Sequence, residues 1–195
     1  MYPKSISKEE LNQIDIKAFD GETIVVEDPK DLRRVVKKIN HCSLLGFDTE
    51  TRPSFKKGRI NKVALLQLSG GGITYLFRLN KIGLPVEIIN ILSNPKIIKI
   101  GVAIHDDLIS LRKLKEFKPD GFIELQDMVK EFGIENFSLK NLCAIVLGFK
   151  ISKAKQLSNW EQDKLDDAQI KYAATDAWAS VEIYKELINN NEGAD

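Results

Sequence analysis

Cysteine is scarce: Cys42 and Cys143 are the two in 195 residues, each lies in or beside an apolar run, and no C-x-x-C spacing occurs. That argues against a disulfide-stapled scaffold or a cysteine metal knot and predicts buried, reduced thiols. Histidine is equally rare, and neither His41 nor His105 stands at ligand spacing from another ligand type, so both read as structural. No stretch reaches the roughly 18 apolar residues of a membrane span. The start of the chain, Met1-Tyr2-Pro3-Lys4-Ser5, lacks the apolar core of a secretory signal. Together these absences predict a soluble, cytoplasmic protein without a membrane partner.

Net charge is nearly missing as well, since 29 Lys and Arg against 28 Asp and Glu leave +1. A polyanion would therefore have to be gripped by a local basic patch rather than by the global field. What is present is ordinary for a globular chain, 43% hydrophobic and 29% charged. The length suits one domain with a real core, and no repeat or long linker divides it.

Taken in order, Ser7-Lys8-Glu9-Glu10 reads as a capping box opening a short helix. Thr23 to Glu27 is β-branched strand material. Asp28-Pro29 supplies an N-cap and a first-turn proline for an amphipathic helix carrying Leu32, Val35, Val36 and Ile39. Leu44 to Thr51 is a strand, and a basic loop follows over 52–62. Val63 to Leu68, a glycine turn and Ile73 to Phe77 then suggest an antiparallel meander. A helix built on Leu84, Ile88, Ile91 and Leu92 stops near Asn94-Pro95. Ile97 to Ile104 reads as a buried parallel strand, with His105-Asp106-Asp107 at its end and Leu108, Leu111 and Leu114 beginning the next helix. A strand and helix cover Phe122 to Phe132, and one compact helix covers Ser138 to Leu147. A last helix runs from Asp166 to about Leu187, leaving 189–195 as a frayed tail. The fold class is thus α/β: a mixed sheet, meander first and parallel strands after, flanked by helices. Residues 1–22 form an N-terminal extension to a domain over 23–188.

Asp48 and Glu50 end an apolar run two positions apart, so in a strand they project from one face some 6 to 7 Å apart. Like charges that close need either full hydration or a cation between them. Asp106 and Asp107 lie where a buried strand hands over to a helix, the edge at which open α/β sheets place their sites. A helix N-terminus welcomes one such acid for structural reasons alone, but that does not explain two. Tyr172 and Asp176 are four apart on a helix and share a face among Ala173, Ala174 and Ala177. Each signal alone also fits a solvated surface. Their joint occurrence is far more specific.

Phe47-Asp48-Thr49-Glu50, Lys62 to Leu68, Gly101 to Asp107, Ser158-Asn159-Trp160 and Tyr172 to Ala177 together resemble the DEDD superfamily of 3′ to 5′ exonucleases, in the tyrosine subtype. Ribonuclease D and the exonuclease domain of the Werner syndrome protein are the members it looks most like, over residues 23 to about 188. The resemblance implies a ribonuclease H-like fold and a phosphodiesterase using two divalent cations, Mg²⁺ or Mn²⁺, which suit hard oxygen ligands. It implies Asp48, Glu50, Asp107 and Asp176 as the metal ligands, with Asp107 rather than Asp106 in the second motif. Tyr172 would orient the attacking water. One departure is Lys164, where relatives often carry proline, and it bears on local loop shape. Such a protein removes nucleotides from a free 3′ end of DNA; the same chemistry on RNA, or an idle member that only binds nucleic acid, are the alternatives. An idle member would be expected to have lost an acid, and none is lost. Candidate strand contacts are Thr49, Phe55, Arg59, Lys62 and Lys153, with Phe55 as a stacking platform and Trp160 as a packing residue.

Overall fold

A computed structural model describes residues 2–54, 58 and 61–192. Its centre is a six-stranded sheet in the order β1-β4-β3-β2-β5-β6, made of β1 (Glu22–Val26), β2 (Leu44–Thr51), β3 (Val63–Gly70), β4 (Ile73–Phe77), β5 (Ile98–Gly101) and β6 (Phe122–Glu124). β2, β3 and β4 are antiparallel neighbours, the predicted meander, while β1 joins β4, and β5 and β6 join beyond β2, all in parallel. Gly71 and Gly72, at φ +62° and +80°, make the hairpin between β3 and β4. Positive φ at both positions matches the right-handed strand twist, which is why glycines stand there.

Helices cover both faces. α1 (Lys8–Gln13) opens with the predicted capping box. Asp28 accepts from the Lys30 amide to start a 3₁₀ turn (Pro29–Asp31), and α2 (Leu32–Ile39) continues from it. α2, α3 (Leu79–Ile82), α4 (Val86–Leu92) and α5 (Ile104–Leu114) bury their apolar stripes with Leu45, Phe47, Leu66, Leu68, Tyr75 and Phe77. The opposite face lies under α8 (Asp167–Glu192), which crosses β2, β3, β4 and β5. β3 is buried along its whole length because both of its faces are covered. α6 (Leu125–Glu131), α7 (Leu139–Leu142) and a π-helical turn (Cys143–Leu147) pack a second core around the later half of α8.

Four local expectations change. β5 stops at Gly101 and α5 starts at Ile104, because Ala103 adopts a left-handed conformation, φ 59° and ψ 37°, that ends the strand. The short α3 was not foreseen. The helix expected over 138–147 splits into α7 and the wider turn, which carries the β-branched pair Ile145-Val146. α8 also runs on to Glu192 where a frayed tail was expected. Asn190 explains the extension: its amide donates to the Glu186 carbonyl at 3.0 Å and to the Tyr2 hydroxyl at 2.7 Å. The N-terminal residues are therefore docked on the domain, with Tyr2, Ile6 and Ile14 against the second core. Both cysteines are free thiols, Cys143 buried and Cys42 half-buried.

Candidate active site

The sheet's pleat decides which side of β2 becomes polar. Gly46, Asp48 and Glu50 alternate with the core residues Leu45 and Phe47, and therefore face α8. The helix can come this close because Gly46 has no side chain: a Cβ there would sit 1.8 Å from the Ala177 carbonyl oxygen. Ala173, Ala174 and Ala177 are buried in the same contact. This close approach carries Asp176 to the strand. Ligand oxygens of Asp48, Glu50 and Asp176 all lie within 4.8 Å of one another. Asp176 is 6% exposed, and its Oδ1 has no hydrogen-bond partner among the described residues. A buried carboxylate oxygen left unpaired is costly, and a cation satisfies it.

Asp107 reaches the same region from the other side of β2. It sits in the first turn of α5, and its Oδ1 accepts from the Thr49 hydroxyl at 2.5 Å. Its charge acts on both Asp48 and Glu50, although it stands outside the group of three. Asp106 points to solvent. The two neighbouring aspartates thus differ in placement, Asp107 toward the acids of β2 and Asp106 toward solvent.

Burial raises all four acids. Burial first, then the charges of Asp176 and Asp107, push Asp48 well above the usual carboxylate range. Burial and then Asp48 raise Glu50 to about 10. Asp176 is raised to about 7 by burial, which the Tyr172 hydroxyl and the Lys153 charge partly offset. Asp107 is raised to about 6 by burial against the opposing Thr49 bond. The Tyr172 hydroxyl is pushed upward by burial and by Asp176 and Glu50, so it keeps its proton. Four buried acids with hard oxygen donors, all raised chiefly by their burial, fit divalent cations that would take the place of the protons.

A cavity of about 300 Å³ opens over these groups, lined by Asp48, Glu50, Tyr172 and Asp176, with Lys140 and Lys153 on its wall. Thr49 lines it too, its hydroxyl engaged by Asp107. Lys62 is exposed and does not line the cavity. Phe55 and Arg59 lie outside the described residues, while Arg52 pairs with Glu161 at 3.2 Å. Trp160 is fully buried against the Tyr172 ring, with centroids 6.0 Å apart, a packing residue as expected. Neither histidine lines the cavity. Lys164, the departure from the family pattern, is exposed beside buried Leu165 and accepts from Gln162 through its carbonyl.

Three contributors escaped the reading of the sequence. Lys140 left no signal. Glu124 acts through the corner before α5, accepting from the Ala103 and Ile104 amides at 2.9 and 2.8 Å. Gln67 is the cross-strand neighbour of Asp48, fully buried, with both amide atoms unpaired among the described residues. As the one polar residue within Val63 to Leu68, it was visible in the pattern.

Residues 23–192 match the sequence model of the 3′–5′ exonuclease family. The mouse bifunctional 3′–5′ exonuclease/ATP-dependent helicase WRN is 34% identical over 163 residues, covering 80% of this chain and 12% of that protein. DNA polymerase I of Aquifex aeolicus is 26% identical over 158 residues, covering 80% of this chain and 25% of that protein. The chain thus spans a minor part of the length of these relatives. Among solved structures, Escherichia coli RNase D superimposes with a TM-score of 0.78 at 20% identity, over 88% of this chain and 46% of that one. With a match over nearly its whole length, and the fold those structures share, the chain belongs to the 3′–5′ exonuclease family.

Proposed function

We propose that this chain removes nucleoside monophosphates from the 3′ end of DNA, as a tyrosine-subtype member of its family using two divalent cations, Mg²⁺ or Mn²⁺. One observation carries the reading: Asp48, Glu50 and Asp176 converge within 4.8 Å although they come from a strand and a helix more than 120 residues apart. The related bacterial polymerase supports DNA as the substrate.

Bound cations supply positive charge against the phosphodiester and acidify water at the reaction centre. Asp48, Glu50 and Asp176 would hold them, with Asp107 supporting the second from the α5 side. Tyr172 keeps its hydroxyl proton and so directs the attacking water as a hydrogen-bonding partner rather than as a base. Lys153, whose charge already reaches Asp176, stands ready for the phosphate of the terminal nucleotide. In the basic loop, Lys62 and the undescribed Phe55 and Arg59 are the proposed contacts to the rest of the strand.

The deciding assay uses matched DNA and RNA strands labelled at the 5′ end. Stepwise shortening in Mn²⁺ that stops in chelator, faster on DNA, is the expected result. Faster shortening of RNA would move the substrate to RNA 3′ ends. No shortening, or shortening that ignores the chelator, would overturn the enzyme reading.

A further inference from the structure

A second cavity, of about 410 Å³, adjoins the acidic one, and Ser152 and Tyr172 line both. Its volume is in the range of small-molecule sites, roughly 300 to 1,000 Å³. Ala18, Ala154 and Ala168 give it apolar surface, and Lys17, Lys155 and Lys171 stand around it against a single acid, Asp167. Lys155 is engaged by Asp166 at 2.8 Å. Lys17, whose ammonium lies 5.2 Å from the centre of the Phe149 ring, and Lys171 have no carboxylate partner among the described residues. Acids therefore outnumber ammonium groups in the first cavity, Asp48, Glu50 and Asp176 against Lys140 and Lys153, and ammonium groups outnumber the one acid in the second.

The wall is fixed by hydrogen bonds. The Phe19 amide donates to Thr175 Oγ1 at 3.0 Å, and that hydroxyl donates to the Lys171 carbonyl at 2.6 Å. On the other side the Lys17 amide donates to the Lys150 carbonyl, and the Lys150 amide to Asp15, both at 2.9 Å. Residues 15–19 are thereby tied to α8 and to the segment before it. They precede residue 23, where the family match begins. The N-terminal extension thus builds a wall beside the reaction centre that the family match does not include.

Apolar surface flanked by two ammonium groups that no carboxylate pairs is the chemistry of a nucleotide within a strand, a base needing a dry face and a phosphate needing counter-charge. We propose that this cavity holds an upstream nucleotide of the strand whose 3′ end lies over Asp48, Glu50 and Asp176, its base against the alanines and its phosphate on Lys17 and Lys171. The inference rests on the acidic cavity taking a nucleic-acid strand. It makes the extension a determinant of how tightly a strand, as opposed to a single nucleotide, is held.

The test is fluorescence anisotropy in Mn²⁺ with a labelled ten-nucleotide phosphorothioate DNA, which resists cleavage, and with a nucleoside monophosphate as competitor. The double variant Lys17→Glu/Lys171→Glu should weaken strand binding about tenfold and leave the monophosphate within about twofold. Ala168→Trp fills the cavity without changing charge and should weaken the strand to a similar degree. Lys37→Glu, an exposed change on α2 across the sheet, serves as control and should have little effect. An equal loss in Lys37→Glu, an equal loss for the monophosphate, or an unaffected Ala168→Trp each overturns the proposal. Binding is read without turnover, so the two readings fail separately. A chain that binds strands in this manner yet releases no nucleotide keeps the cavity and loses the exonuclease; one that degrades strands with an affinity indifferent to these variants does the reverse.

Discussion

The Thr49 hydroxyl donates to Asp107 Oδ1 over 2.5 Å, tying the strand that bears Asp48 and Glu50 to the first turn of α5. Thr49 is the residue between the two acids, so the pleat turns it to the opposite face, and the acid it holds arrives from the side away from α8. This bond fixes the distance between Asp107 and the other three acids.

Thr49→Val preserves branching and strand preference while removing the donor. A hydrogen bond to a charged group contributes about 1.5 to 3 kcal/mol. The expected result is a kcat reduced about tenfold or more, weaker metal binding by calorimetry and a Tm lower by about 5 °C. Unchanged kcat would show that Asp107 needs no such anchor.

The raised acids set the pH dependence of stability. Glu50 at about 10, Asp176 at about 7 and Asp107 at about 6 all stand above the roughly 4 of an unfolded carboxylate. The folded, metal-free protein therefore holds more protons than the unfolded chain. Stability from these groups is fully present below about pH 4 and falls as pH rises through 6, 7 and beyond. In chelator the urea midpoint should drop between pH 5 and pH 8, and Mn²⁺ should restore it. Glu50→Gln keeps the shape and removes a charge, so it should raise stability in chelator, flatten the slope and abolish nucleotide release. A level profile for the unaltered protein would contradict this account.

Tyr172→Phe isolates one hydroxyl. The ring keeps its contact with Trp160, and the acids remain in place. Losing one oriented hydrogen bond of about 1.5 to 3 kcal/mol at a reaction centre lowers kcat about 10- to 100-fold, while metal affinity should stay within about threefold. Because Tyr172 holds its proton, the alkaline side of the pH–rate profile should be unchanged in shape. Abolished metal binding would assign the hydroxyl a ligand role instead.

Legibility in the sequence followed the range of the interaction. Asp48 and Glu50 were readable because a two-residue period needs only a strand, and Tyr172 with Asp176 because a four-residue spacing needs only a helix. The alanines beside them announced the close approach of α8. What no local pattern encodes depends on contacts between distant segments. The Thr49–Asp107 bond spans 58 residues, and the last turn of α8 is secured by Tyr2 from the other end of the chain. The start of α5 is hidden because Ile97 to Ile104 is apolar but for Lys99, while its backbone turns left-handed at an alanine rather than a glycine.

Gly46 is where the packing of α8 is most exposed to a single atom. Gly46→Ala places a Cβ 1.8 Å from a helix carbonyl oxygen, which no rotamer can relieve. The helix must shift, and overpacking of this severity costs about 3 kcal/mol or more. Both thermal stability and nucleotide release should collapse together. Gly72→Ala is the comparison: nothing lies within 4 Å, but φ is +80°, so about 1 kcal/mol is lost and activity is kept. Equal behaviour of the two variants would mean that backbone conformation, and not the approach of α8, governs Gly46.

The corner before α5 joins backbone strain to the position of Asp107. Ala103 holds φ 59°, a conformation that costs an L-residue roughly 1 to 2 kcal/mol. Glu124 holds it there: Oε1 accepts from the Ala103 amide at 2.9 Å and the Gln126 amide at 3.0 Å, and Oε2 accepts from the Ile104 amide at 2.8 Å. A negative carboxylate on the free amides of a helix N-terminus is favoured by charge as well as by geometry. Glu124→Gln keeps the length but replaces one acceptor oxygen with a donor, so one amide at the corner loses its partner. The expected loss is about 1 to 2 kcal/mol, together with a severalfold fall in kcat as the first turn of α5 and its Asp107 drift. Adding Ala103→Gly removes the strain that Glu124 opposes, and should recover much of both stability and kcat in the double variant. If glycine at 103 recovers neither, Glu124 acts on Asp107 through its charge alone, and the left-handed corner has no part in placing the acid.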